Sequence, residues 1–146
     1  MQNVTDVMVA RTLTVDGKPT SLLDLGYTTV GLDDNWQDCG QGPNNTFHAA
    51  DGTPLVNKDR FPDLKAMVSY ATAKGVQSGF YTNNCICKEK IPNMGPQAAR
   101  DLQGDAKLAI DAGFTAVKAD GCGPEHALDA WTDAFNKSGV AIELEK

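Results

Sequence analysis

Four times along the chain, an amphipathic segment runs into a glycine and then into a short stretch of β-branched and aromatic residues. The four places read LLDLGYTTVGL, ATAKGVQSGFY, IDAGFTAVKA and NKSGVAIEL. Glycine suits the left-handed position just past a helix end. The runs that follow, Tyr27 to Leu32, Val76 to Tyr81, Phe114 to Ala119 and Val140 to Leu144, predict strands. Between them the apolar spacing is helical. Leu64, Met67, Val68 and Ala71 form one stripe, with Pro62 suited to a first turn. Ala98, Leu102, Ala106, Ala109 and Ile110 form a second. Glu125 to Asn136 predicts a further helix, with Leu128, Trp131 and Phe135 on one face. Val4 to Leu13 carries a weaker helical pattern, interrupted by the turn residues of TVDGKPTS.

Strands alternating with helices predict an α/β fold built on a parallel sheet. An open doubly wound sheet and a TIM (β/α)8 barrel both satisfy that pattern. A barrel collects function at the C-terminal ends of successive strands. The first strand here is followed by DDNWQDCG, the second by TNNCICKE and the third by Asp120 with GCG. Polar strand ends in series favour the barrel, and no glycine-rich nucleotide-binding motif supports the open sheet. A full barrel takes about 250 residues and eight strands. Residues 1–146 are therefore expected to form one partial barrel domain, about half of it, with strands 2 to 5 and the intervening helices.

Composition narrows the partners. The net charge of −6 argues against nucleic acid, which is bound through basic patches. No apolar run approaches the roughly 18 residues of a membrane span. Four cysteines are present, Cys39, Cys85, Cys87 and Cys122, and four allow three disulfide pairings. N-x-S/T triplets at Asn3, Asn44 and Asn136 lean toward a secreted protein, although no signal peptide opens the chain.

The candidate chemistry sits at the strand ends. Asp33 and Asp34 are adjacent carboxylates that can clamp sugar hydroxyls, or simply turn residues. Trp36 is either a core aromatic or a flat platform for a sugar ring. Lys118 and Asp120, two apart on a strand, share a face. They read as a surface ion pair, or as a lysine keeping a nucleophilic carboxylate ionised. A disulfide from Cys122 to Cys85 or Cys87 would tie two neighbouring loops. Zinc is the alternative, but closed zinc sites favour C-x2-4-C spacing and the chain has only two histidines. His48 and His126 read as structural or exposed.

The series GYTTVGLDDNW, DGTPLVNKDRFPDLKAMVSYATAKGVQSGFY and DAGFTAVKADGC resembles the α-galactosidases and α-N-acetylgalactosaminidases of glycoside hydrolase family 27. The likeness runs in order over about residues 20 to 143. It implies that Asp120 is the catalytic nucleophile and that Lys118 contacts galactose hydroxyls. Asp33 and Asp34 would bind hydroxyls on the far side of the ring, and Tyr81 would line the pocket. Cys122 would be bonded to the loop after the preceding strand, at Cys85 or Cys87. The chain departs from the family at Asn35, where many members have cysteine, which leaves Cys39 without an obvious partner. It also departs at Ala119 and in a shorter NNCIC loop.

The function implied is retaining hydrolysis of terminal α-linked galactose from oligosaccharides or glycoconjugates, with no cofactor and no metal. The partner is a small carbohydrate, not nucleic acid or membrane, and the full-length enzyme is expected to be a homodimer that is secreted or lysosomal/vacuolar. The first barrel strand is expected before Met1 and the acid/base carboxyl after Lys146, so the isolated chain is expected to be inactive. Two rivals stand beside this: a carbohydrate-binding fragment or pseudo-enzyme without its acid/base, and a cysteine-centred redox or zinc protein.

Overall fold

The structure is a computed structural model and describes residues 1–83, 85–89, 94–121, 123 and 127–145. Helix α1 (Gln2–Val9) leads into a short antiparallel pair, β1 (Leu13–Val15) and β2 (Lys18–Thr20). The main sheet then alternates with helices: β3 (Thr29–Gly31), α2 (Leu64–Ala73), β4 (Gln77–Thr82), α3 (Pro96–Ala112), β5 (Ala116–Ala119), α4 (Leu128–Ser138) and β6 (Glu143–Glu145). All four strands of this sheet are parallel and pair in chain order, β3-β4-β5-β6. A doubly wound sheet reverses its strand order at a switch point. These four strands show no reversal.

Local chemistry explains the elements. Asp63 caps α2 by accepting from the Ala66 N–H at 2.8 Å. Pro62 thus precedes the cap instead of occupying the first turn. Helices α3 and α4 end at Gly113 (φ 90°) and Gly139 (φ 72°), both in the left-handed conformation the sequence pattern predicts. The expected start of α4 at Glu125 lies outside the described residues, and the described helix opens at Leu128. TVDGKPTS is not a bare turn. Asp16 (φ 49°) and Gly17 (φ 75°) both take positive φ, so Asp-Gly closes a two-residue hairpin between β1 and β2.

Every residue of β4 after Gln77 is buried. Phe80, Phe114, Val117, Trp131 and Phe135 form the centre of the core with Leu64 and Val68 from α2. A smaller cluster of Met8, Val30, Ala71 and Val76 seats α1 against the start of the sheet. Asp6 fixes α1 to α2 through the Tyr70 hydroxyl at 2.6 Å and the Lys74 ammonium at 2.8 Å. Among the described residues, no helix is long and apolar enough to cross a membrane.

Candidate active site

The parallel register brings the predicted residues to one end of the sheet. Tyr81 on β4 is the register partner of Lys118 on β5. Side chains of paired residues stand side by side on the same face, and the Lys118 ammonium lies over the Tyr81 ring, 5.1 Å from its centroid. One step further, the Asp120 N–H donates to the Thr82 carbonyl at 3.0 Å, holding Asp120 in register just past β5. The Leu32 N–H donates to the Gly79 carbonyl at 2.8 Å and does the same for the end of β3.

Asp120 is half-buried, and both its oxygens hold donors. The Tyr81 hydroxyl donates to Oδ2 at 2.5 Å, and the Gly121 N–H donates to Oδ1 at 2.8 Å. Tyr81 first, then Gly121, holds the Asp120 carboxyl below its ordinary range, with a smaller contribution from the Lys118 charge. This refines the expectation from sequence, in which lysine was the support for the carboxylate. Burial, and then the bond to Asp120, pushes the Tyr81 phenol upward, so it remains a donor.

Lys118 forms its ion pair with Asp33, at 3.8 Å, with both side chains well exposed. Asp33 Oδ1 accepts the Asp34 N–H at 2.7 Å, within the turn that Asn35 (φ 76°) completes. Asp34 Oδ1 is buried and has no hydrogen-bond partner among the described residues. The two aspartates, Lys118, Tyr81 and Asp120 thus belong to three adjacent strand ends.

Trp36 does not join them as an exposed platform. It is 0% exposed, donates Nε1–H to the Tyr81 carbonyl at 2.8 Å, and packs against Phe47 and Phe80. Of the two readings open in the sequence, the core aromatic is the one the structure shows.

One cysteine pairing differs from expectation. Cys39, which had no obvious partner, is disulfide-bonded to Cys87, joining the loop after β3 to the loop after β4. Cys85 is disulfide-bonded as well. With Cys87 taken, Cys85 is the remaining candidate partner of Cys122, which itself lies outside the described residues, as does His126.

A buried ionic cluster linked to the end of β4 carries no expectation from the sequence. His48 is 2% exposed, with Nδ1 2.8 Å from both Glu89 oxygens and Nε2 3.2 Å from Asp105. Glu89 also accepts the backbone N–H groups of Phe47 and His48. Burial alone would lower the imidazole, but Asp105 and Glu89 outweigh it and hold it at about 11. Asp105 reaches the candidate site through the Thr82 hydroxyl, at 3.0 Å. Asp101, also buried, is pushed up to about 6 chiefly by desolvation. His48, Glu89 and Asp101 have ligand-type atoms within 4.8 Å of one another. Both ring nitrogens of His48 already face carboxylates, however, so the arrangement is that of an imidazolium locked between anions. One signal was available in the sequence: Asp101 and Asp105 fall on the apolar stripe of α3 with Ala98, Leu102 and Ala109.

No protein-family model matches the chain. It is 28% identical over 126 residues to a protein named as a probable α-galactosidase from Dictyostelium discoideum, covering 81% of this chain and 29% of that protein. It is 25% identical over 129 residues to α-galactosidase 3 of Arabidopsis thaliana, covering 84% of this chain and 27% of that protein. The chain is thus similar to part of two α-galactosidases. It spans less than a third of the length of these α-galactosidase relatives. Among solved structures, the α-galactosidase of Saccharomyces cerevisiae with raffinose superposes over 98% of this chain and 30% of its own, with a TM-score of 0.70 and 18% identity. At that identity the likeness to the yeast α-galactosidase establishes the fold, an α/β arrangement around a parallel sheet.

Proposed function

We propose that this chain forms the nucleophile-bearing part of a retaining α-galactosidase, as a segment of a TIM barrel that residues 1–146 occupy as one domain. The observation that carries the reading is the state of Asp120. It is an ionised, half-buried carboxylate at a strand end, with a hydrogen-bond donor on each oxygen. Donors on both oxygens fix its direction while leaving lone pairs free for attack.

In the retaining reaction Asp120 attacks the anomeric carbon as the bond to the leaving oxygen breaks. An acid/base carboxyl gives that oxygen its proton. Water then attacks the glycosyl–Asp120 ester, losing a proton to the same acid/base group and freeing Asp120. The acid/base carboxyl is assigned to the part of the relatives that this chain does not span. Asp33, Asp34 and Lys118 are assigned to the galactose hydroxyls, and the unpartnered Oδ1 of Asp34 supports this as an acceptor without a donor among the described residues. The substrate is a terminal α-linked galactose, and the disulfides suit a secreted or lysosomal/vacuolar setting.

The test is covalent trapping with an activated 2-deoxy-2-fluoro α-galactoside in protein that hydrolyses a chromogenic α-galactoside. Peptide mapping is expected to find the adduct on Asp120, with Asp120→Asn blocking both labelling and turnover. An adduct on another carboxylate, or full turnover by Asp120→Asn, rejects the reading. Galactose binding without turnover in every preparation would point instead to a carbohydrate-binding role.

A further inference from the structure

The geometry points to Asn83 as a positioning residue that directs the Tyr81 proton onto Asp120. This rests on the reading of Asp120 as nucleophile and adds to it a device that sets the nucleophile's protonation from the neighbouring loop.

Asn83 is 4% exposed, just past β4. Its Oδ1 accepts the backbone N–H groups of Ile86 at 2.9 Å and Cys85 at 3.2 Å. A backbone N–H can only donate, so the amide cannot flip without placing its NH2 against two donors. Nδ2 is therefore committed to the other side, where it donates to the Tyr81 hydroxyl oxygen at 2.9 Å. A phenol has one proton. With its oxygen receiving from Asn83, that proton is free to go to Asp120 Oδ2, at 2.5 Å. Each bond in the series runs in one direction, from loop backbone to Asn83, to Tyr81, to Asp120. Hydrogen bonds in such a chain polarise one another, so the Asn83 donation strengthens the one that reaches Asp120.

The loop that fixes Asn83 is itself tied down. Cys87 bonds Cys39, and Glu89 holds the His48 imidazole and two backbone N–H groups. Residues 85–89 are thus anchored at Cys87 and Glu89, and they supply the two N–H groups that orient the amide.

Asn83→Asp is nearly isosteric and keeps the acceptor for Ile86 and Cys85. It removes the donor to Tyr81 and introduces a second carboxylate competing for the single phenolic proton. In protein active on a chromogenic α-galactoside, kcat/KM at acid pH is expected to fall about tenfold relative to its alkaline value, the scale of one charge-assisted hydrogen bond. The acid limb of the pH profile moves to higher pH, because that limb reports the free enzyme's essential base. Tyr81→Phe moves the limb in the same direction, and the double variant goes no further than Tyr81→Phe alone. Asn83→Ala gives the same shift and serves where Asn83→Asp folds poorly, with folding judged by circular dichroism. An unmoved acid limb in a folded Asn83 variant, or full additivity with Tyr81→Phe, overturns the inference. Asp120→Asn separates the two levels: if it abolishes turnover while the Asn83 variants leave the limb in place, only the positioning role falls. If Asp120→Asn retains turnover, the reading beneath it falls as well.

Discussion

Trp36 donates its indole N–H to the main-chain carbonyl of Tyr81, joining the loop after β3 to the strand that carries the candidate site. That carbonyl and the indole are buried together, so the bond has no water to replace it. Trp36→Phe removes the donor and part of the ring volume. Loss of a buried hydrogen bond and the cavity left behind together predict a destabilisation of about 2–4 kcal/mol. Because the side chain is fully buried, the effect belongs in the urea unfolding midpoint. A change in sugar affinity with no change in midpoint would contradict the core assignment.

Lys118 presents the opposite case. It is exposed, pairs with an exposed Asp33, and covers the Tyr81 ring. Exposed ion pairs contribute little to stability. Lys118→Met is therefore expected to leave the unfolding midpoint within about 0.5 kcal/mol of the parent. In protein that hydrolyses α-galactosides it is expected to weaken kcat/KM about tenfold, the loss of one charge-assisted contact. Steady-state kinetics alongside urea unfolding separates the two.

The strand ends were legible in the sequence because glycine turns and β-branched runs are local signals. The same holds for the series of polar residues that follow them. What brings Tyr81 against Asp120 is the register of β4 on β5, which is set by the packing of two buried strands and leaves no mark in either segment alone. Trp36 admits a core and a platform reading in the sequence, and its contacts with Phe47 and Phe80 decide for the core. Cys39 and Cys87 are 48 residues apart, with nothing local to pair them. Glu89 and His48 are likewise joined only by the folding of two loops. By contrast, the Asp16-Gly17 hairpin is a local signal, because Asp-Gly closes two-residue hairpins.

The buried carboxylates predict a specific pH dependence. Asp101 has a folded pKa of about 6 against an ordinary 3.8. The folded state therefore binds this proton more tightly, and its contribution is most favourable below pH 3.8 and is lost as pH rises through 6. Asp101→Asn is expected to stabilise the protein by about 1–3 kcal/mol above pH 6, with the gain vanishing in acid. His48 behaves in the same sense at another range. Its folded value of about 11 lies above the ordinary 6.5, so its stabilisation is complete below pH 6.5 and fades as pH rises through 11. Thermal unfolding of the parent and of Asp101→Asn from pH 4 to pH 9 checks the sign for Asp101, and a gain for Asp101→Asn that grows toward pH 4 would contradict it.

Bonding Cys39 to Cys87 closes a 48-residue separation. In the chain-entropy account a loop of that size restricts the unfolded chain by about 4 kcal/mol. Cys39→Ser/Cys87→Ser is expected to lower the urea midpoint accordingly. Non-reducing peptide mapping of the parent should recover the Cys39–Cys87 linkage, and recovery of Cys87 joined to Cys122 would contradict this pairing.

Gly104 gives a prediction whose sign separates two effects. In a helix interior, glycine is worse than alanine by about 1 kcal/mol, so Gly104→Ala in a free helix would stabilise. In α3 it sits against the turn that follows His48. A Cβ at Gly104 would lie 1.9 Å from the Gly52 carbonyl oxygen and 3.0 Å from Pro54 Cδ. Gly52 cannot yield easily, because its φ is 87° and a Cβ on it would in turn meet the Arg100 carbonyl at 2.6 Å. Helix and turn are in backbone-to-backbone contact, which side-chain rotation cannot relieve. Overpacking of this kind costs about 1–3 kcal/mol and outweighs the helix preference, so Gly104→Ala is expected to destabilise. The displaced turn would also carry His48 away from Asp105, one residue beyond the substitution. Urea unfolding gives the sign, and the His48 imidazole titration by NMR gives the consequence, a fall from about 11 toward its ordinary value. A variant more stable than the parent, with His48 still protonated at pH 9, would mean that the turn does not rest on α3.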